Sequence, residues 1–141
     1  MADAPDDLIR QWFEELWNQG REDTIDRLLA PNAIVHGLPS ADGKQMVGPA
    51  GFKPLYRTFR AAFPDMRITV ERTVRQNDLA AAHVSVTGTH RGDTLGSAPT
   101  NQPVRFSGMV IVRAANGQLV EGWNQFDFMT MYQQIGMLPQ V

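Results

Sequence analysis

Apolar residues recur every three to four positions in three segments of the N-terminal half of the chain. This spacing predicts helices over about residues 5–19, 23–29 and 50–62, with Pro54 near the first turn of the third helix. Gly20 and Pro31 follow the first two helices, as is typical beyond helix ends. Between the second and third helices, Ala33–Gly37 is predicted as a brief extended or loop segment.

After Phe63-Pro64-Asp65 the period changes to two, which predicts strands. One strand carries Ile68 to Val74, a second covers Leu79–Arg91, and a long hairpin follows a loop over 92–103. Met129–Ile135 is predicted as a short closing helix. Helices followed by an antiparallel meander of four strands indicate an α+β fold. We expect three N-terminal helices on a strongly curved, mostly antiparallel sheet, forming a barrel-like cone that is open at one end.

The last strands form a hairpin around Asn116-Gly117, because a type I′ turn needs positive φ at both central residues. A two-residue loop pairs Ala115 with Gln118, Val110 with Trp123 and Phe106 with Asp127. Strict alternation then places Trp123 and Asp127 on one face of the last strand, and Asn124 on the opposite face. On this register we rank Asn124 below Trp123 as a site residue.

Asp127 is the first candidate for chemistry, because a carboxylate at the end of an apolar strand is costly unless it is used. It would act as a general acid or base whose pKa is raised by apolar surroundings. The alternative is a structural carboxylate that caps the helix starting near Met129.

The chain has three histidines, His36, His83 and His90. Alternation along Leu79–Arg91 places His90 at the end of an interior row with Ala80, and His83 on the other face. His36 stands at an element end, where its face is not determined. We take His90 and His36 as candidate partners of Asp127, and a hydrogen-bonded structural role is the alternative for each. The histidine spacing does not favour a metal site.

Several aromatic residues are candidates for the wall of a substrate pocket as well as for the core, since small-molecule sites are mostly apolar. They are Trp123, Tyr56, Phe59, Trp17, Phe13 and Phe106.

The length, charge and composition of the chain argue against several classes of function. The 141 residues suit a single domain, of which we expect residues 1–7 to be flexible. Thirteen basic and fifteen acidic residues without a single-sign run argue against nucleic-acid binding. With no cysteine, no signal peptide and no long apolar run, we expect a cytoplasmic protein without a membrane span. A nucleophile elbow, a phosphate loop and a dinucleotide fingerprint are also absent from the sequence.

An ordered series of short motifs resembles the SnoaL-like polyketide cyclases and related ester cyclases. The series is Val35-His36-Gly37, Gly48-Pro-Ala-Gly51, Ala62-Phe-Pro-Asp65, Thr87-Gly-Thr-His-Arg-Gly92, Pro99-Thr100, Pro103-Val104, Asn116-Gly117, Glu121-Gly-Trp123 and Asp127. The resemblance covers about residues 8 to 137 and implies the conical fold of nuclear transport factor two. Family members often have Pro-Pro-Thr-Gly where this chain has Ala98-Pro-Thr-Asn101, and because Asn tolerates a left-handed backbone we expect the turn to survive.

The resemblance implies an intramolecular aldol ring closure without metal or cofactor, with an Asp acid/base that matches Asp127 and a histidine that matches His90. A homodimer is implied as well. The first hypothesis is therefore a cofactor-independent enzyme acting on a small hydrophobic carbonyl compound, by cyclisation or a related isomerisation or hydrolysis. The second is a non-catalytic binder of a small apolar ligand, which an aromatic pocket with Asp127 held in a cap or salt bridge would favour. The third is a dimerisation module with a filled core.

Overall fold

The first helical segment changes its hydrogen-bonding pattern halfway along. In the computed structural model, which describes residues 3–40 and 42–139, α1 spans Pro5–Gln11 and continues into a π-helix over Trp12–Asn18. The single helix predicted over 5–19 is thus two segments. Residues 5–7, expected to be flexible, lie in the first turn of α1. The same expectation for residues 1 and 2 lies outside the described residues.

Three further α-helices follow the predicted order: α2 over Asp23–Leu28, α3 over Gly48–Ala62 and α4 over Phe128–Gln134. Helix α3 starts two residues before the predicted start at residue 50, so Pro54 lies in its second turn. Its stripe of buried aromatic residues, Phe52, Tyr56 and Phe59, faces the first helical segment and the sheet.

The strands form one open, six-stranded mixed sheet in the order β2-β1-β6-β5-β4-β3. Their bounds are Leu29–His36 for β1, Met46–Val47 for β2, Arg67–Gln76 for β3, Leu79–Thr89 for β4, Pro103–Ala115 for β5 and Gln118–Phe126 for β6. The meander β3–β6 and the α+β class are confirmed. The segment expected to be brief is instead the eight-residue strand β1, which runs parallel to β6.

The inner face of the sheet packs against the helices, and strict alternation identifies it correctly in β4. Ala80, Ala82, Val84 and Val86 are all buried. His90, just beyond the strand, is also fully buried, at the end of that row. Strict alternation holds in β4 because this strand pairs with β5 without interruption from Leu79 to Thr89.

Strict alternation fails in β6, because a β-bulge interrupts the hairpin three residues after its turn. Asn116 and Gly117 have φ of 55° and 77°, which confirms the predicted turn, and Ala115 pairs with Gln118. Ala114 then pairs with Leu119, but Arg113 pairs with Glu121, so Val120 is the extra residue. Beyond the bulge Val110 faces Asn124, and the predicted pairing of Val110 with Trp123 is wrong. One extra residue reverses every later side chain.

The other turn that depended on an asparagine also forms as expected. Asn101 has a φ of 56°, and its backbone N–H donates to the carbonyl of His90 over 2.9 Å. The left-handed conformation at this position is therefore confirmed without the glycine that family members often have.

Candidate functional site

A cavity of about 100 Å³ lies between the helices and the inner face of the sheet. A single water needs roughly 10–15 Å³ on the same measure, and an engineered apolar cavity of about 150 Å³ binds benzene. The cavity is therefore larger than a water site and smaller than the benzene-binding cavity, which suits a very small organic molecule or one end of a larger one. Its aromatic lining consists of Trp12, Phe13, Trp17, Phe52, Phe59, Phe106, Phe126 and Phe128.

Asn124 brings an amide side chain to this mostly apolar lining. It occupies an inward-facing position of β6 because it pairs with the buried, cavity-lining Val110. Its Nδ2 donates a hydrogen bond to the backbone carbonyl of His36 over 2.9 Å. An amide nitrogen has two N–H groups. The second N–H and the side-chain oxygen can serve a polar group of a ligand.

Three residues whose side chains face away from the cavity form an outer cluster: His36, Glu121 and Trp123. His36 Nε2 lies 2.8 Å from Glu121 Oε2, and the side chains are 35% and 30% exposed. The His36 ring stacks on Trp123 with centroids 5.6 Å apart and planes at 17°. Glu121 borders the cavity along the strand, while its carboxylate meets His36 on the outer face. The expectation that Trp123 shares the interior face of the hairpin is wrong, because of the bulge.

Asp127 is the N-cap of α4. Its Oδ1 accepts a hydrogen bond from Thr130 N–H over 3.1 Å, and its Oδ2 accepts one from the Thr130 hydroxyl over 2.6 Å. These bonds to the charged form lower the pKa of the exposed carboxyl group below its usual value. The raised pKa expected for Asp127 is therefore wrong. Asp127 is also not among the described residues that line the cavity.

His90 is buried beside the loop that follows β4, and it too is not among the described cavity-lining residues. Its Nδ1 accepts a hydrogen bond from Thr100 N–H over 3.2 Å and lies 3.0 Å from Thr100 Oγ1. Because Nδ1 accepts, the neutral ring carries its proton on Nε2. Within the described ranges Nε2 has no hydrogen-bond partner. The His90 ring packs in a tilted arrangement on the ring of Phe63, with the two ring centroids 5.8 Å apart. The contacts between His90 and Thr100 hold the loop over 92–103 against the end of β4.

The predicted aromatic residues divide into two groups. Phe13, Trp17, Phe59 and Phe106 line the cavity. Tyr56 lies behind them, where its hydroxyl donates to the carbonyl of Leu16 over 3.0 Å, and burial raises the pKa of its phenol. Tyr56 and Trp123 are not among the described lining residues.

The sequence argument missed Asn124 because it assumed an uninterrupted hairpin. The signal that could have revealed the bulge is Gly122, since an isolated glycine within a strand pattern often marks one. Gly122 faces the cavity beside Asn124 and lines it without a side chain.

Across residues 3–40 and 42–139, no group of three or more acidic or histidine side chains is arranged to hold a metal ion. In the same part of the chain, no helix is long and apolar enough to cross a membrane.

The fold is shared with solved structures of bacterial proteins. IdmH from Streptomyces antibioticus, described as a candidate polyketide cyclase, is 31% identical with a TM-score of 0.81, and the match covers 95% of this chain and 99% of that chain. AclR from Streptomyces galilaeus, described as a candidate hydroxylase, is 26% identical with a TM-score of 0.82, covering 97% and 87%. A protein of Catenulispora acidiphila with a ketosteroid isomerase-like fold, solved with trimethylamine, is 15% identical with a TM-score of 0.74, covering 96% of each chain, and shows the fold alone.

No curated protein matches the chain. The family model of the SnoaL-like polyketide cyclases, in contrast, matches residues 7–135, which is nearly the whole chain. The matched range includes the cavity, the bulged hairpin and all of α4. The chain belongs to the SnoaL-like polyketide cyclase family.

Proposed function

We propose that this protein is a cyclase-like enzyme that closes a ring in a small hydrophobic carbonyl compound without a cofactor. The observation that carries the proposal is Asn124, an inward-facing amide in an aromatic cavity. Membership of the cyclase family supports the reaction class.

The amide of Asn124 would donate its second N–H to the carbonyl oxygen of the substrate. As the proton on the neighbouring carbon passes to a water molecule at the open end of the cavity, negative charge builds on that oxygen, and a donor fixed in an apolar cavity stabilises it. The nucleophilic carbon then attacks a second carbonyl of the same molecule, and the new alkoxide takes up a proton. One C–H bond and one C=O π bond are exchanged for a C–C and an O–H bond, so no oxidant or reductant is needed.

The aromatic walls would contribute by holding the two reacting ends together. Orientation of reacting groups alone supplies a large part of many rate enhancements. Trp12, Phe13 and Phe52 on one side, and Phe106 and Phe126 on the other, favour a folded apolar chain over an extended one.

The acid/base role of Asp127 stays a prediction from the family resemblance. Its hydrogen bonds to Thr130 and its lowered pKa weigh against it, since a useful base has a pKa near the working pH. We propose that oxygen polarisation by Asn124, rather than a carboxylate at position 127, is the main contribution of the site.

The experiment uses 2,6-heptanedione, a small apolar dicarbonyl whose ring closure and dehydration give an ultraviolet-absorbing enone. We expect acceleration by the wild-type protein and a loss of about 10²–10³-fold in Asn124→Leu, as for the removal of one oxyanion donor. Gln125→Leu is the matched control, because it makes the same change at the exposed neighbouring position. Equal rates in the two variants would overturn the role of Asn124.

A further variant, Asp127→Asn, tests the acid/base role of Asp127 in the same assay. We expect its rate to match that of the wild type, whereas loss of a true general base would cost about 10²–10⁴-fold. Such a loss would return the acid/base role to Asp127.

A second candidate, a non-catalytic binder of a small apolar ligand, is favoured by one observation. Asp127 is held in a helix cap beside an aromatic pocket, and this combination is the one expected for a binder. Binding of 2,6-heptanedione, measured by quenching of tryptophan fluorescence, without any acceleration of ring closure would support this candidate over the enzyme.

The resemblance to the family also supports a homodimer. Met109 and Ile111, on the middle strand β5, are about half exposed on the outer face. We propose that this outer face meets a second copy of the chain.

A further inference from the structure

We infer that Glu121 and Trp123 are positioning residues that fix the cavity amide of Asn124 from the opposite face of the sheet. The inference rests on the proposed role of Asn124, but its geometry concerns the ligand-free protein. Trp123 is not among the described cavity-lining residues, and the carboxylate of Glu121 is engaged by His36 on the outer face.

The link between the two faces is His36, which takes part in contacts on both. Its backbone carbonyl accepts the hydrogen bond from Asn124 Nδ2 over 2.9 Å. Its ring meets Glu121 over 2.8 Å and stacks on Trp123. The direction of the His36 carbonyl, and with it the orientation of the Asn124 amide, therefore depends on how the ring is held.

His36 is the last residue of β1, and its pairing with Trp123 is the last in the parallel ladder between β1 and β6. Backbone with few hydrogen bonds opens more easily than backbone inside a ladder. Gly37 follows with a φ of 84°, and a Cβ at that position would overlap the carbonyl oxygen of Asn124. The chain therefore leaves the sheet in close contact with Asn124, where the ladder no longer holds it.

A purely stabilising role explains this arrangement less well. Exposed ion pairs contribute little to stability, and His36 and Glu121 are each about one third exposed. The parallel stack on Trp123 and the bond to Glu121 restrain the same ring from two directions. Such double restraint tethers the end of β1 to β6 through the ring, and this holds the His36 carbonyl beside the Asn124 amide.

The test measures the side-chain amide of Asn124 by NMR in the ligand-free protein. In Glu121→Ala and in Trp123→Leu we expect the bonded Nδ2 proton to exchange with water at least about fivefold faster, as for loss of one ordinary hydrogen bond. Glu121→Gln keeps an acceptor for His36 and Trp123→Phe keeps a stacking ring, so both conservative variants should restore the wild-type exchange rate. The two removals act on separate contacts, so failure of one variant to fold leaves the other as the test.

The second readout is the carbonyl stretching frequency of ¹³C-labelled acetophenone bound to each variant. Unchanged amide exchange in folded Glu121→Ala and Trp123→Leu would overturn the inference. Faster exchange with an unchanged carbonyl frequency would uphold the positioning role and overturn the proposed contact between Asn124 and the ligand. Faster exchange with a frequency shifted towards that of free acetophenone would support both.

Discussion

At the scale of single residues, Asp127 shows how a local hydrogen-bond pattern decides the chemistry of a side chain. The sequence suggested two roles for it, a base with raised pKa or a helix cap. Both carboxylate oxygens are bound by Thr130, three residues further on, which is the capping geometry. The sequence contained the cap as an alternative, but it could not decide between the two, because the outcome depends on where β6 ends relative to α4.

The cap gives a prediction for stability and its dependence on pH. At pH 7, Asp127→Ala should lower the free energy of unfolding by about 0.5–2 kcal/mol, whereas Asp127→Asn should change it little, because Asn is an equally good N-cap. The folded-state pKa of Asp127 is lowered, so its contribution is complete above the ordinary carboxyl pKa and is lost as the pH falls through the folded-state value.

Urea unfolding at pH 7 and near pH 3 measures this effect. The difference between wild type and Asp127→Ala should shrink at the lower pH, and the difference between Asp127→Asn and Asp127→Ala should persist. An alanine variant as stable as the wild type at pH 7 would contradict the capping role.

At the scale of elements, the bulge in β6 is the feature that separates what the sequence predicts from what it does not. Period-two alternation identified the inner face of β4 correctly, because its pairing with β5 is continuous. The turn at Asn116-Gly117 was also predictable, since its backbone conformation is local. One unpaired residue, Val120, moved Asn124 to the cavity and Trp123 to the outer face. Alternation counts residues and not hydrogen bonds, so it could not detect this.

Deletion of Val120 tests the bulge directly. Leu119 would then be followed by Glu121, and the uninterrupted hairpin would keep Val110 opposite Asn124, so Asn124 would still face the cavity. We therefore expect the deletion variant to fold and to keep acetophenone binding. Val120→Ala keeps the extra residue and is the control. A folded deletion variant that loses acetophenone binding would show that the bulge itself, and not only the register beyond it, defines the cavity.

At the scale of the whole molecule, the sheet has two different faces. Helices cover the inner face, and the outer face of the middle strands carries Met109 and Ile111 in addition to Trp123. Apolar side chains on the centre of an uncovered sheet are typical of an interaction surface.

Ile111→Lys should therefore convert the proposed homodimer to a monomer, because a desolvated, unpaired charge at the centre of an interface is unfavourable. Sedimentation equilibrium at about 10 μM protein measures the change, since assembly depends on concentration. Met129→Lys is the matched control, because Met129 is exposed on α4, away from the sheet. A wild-type chain that sediments as a monomer would rule out the dimer.

The parallel pairing of β1 with β6 has a consequence for the order of folding. The meander β3–β6 and the short pairing of β1 with β2 join neighbours along the chain, but the pairing of β1 with β6 joins residues more than 80 positions apart, such as His36 and Trp123. Contacts between distant residues form late, because loop closure costs entropy before the contact is made. Asn124 is orientated by that late contact, so the cavity is completed last. A chain can therefore have a folded meander before it can bind a ligand.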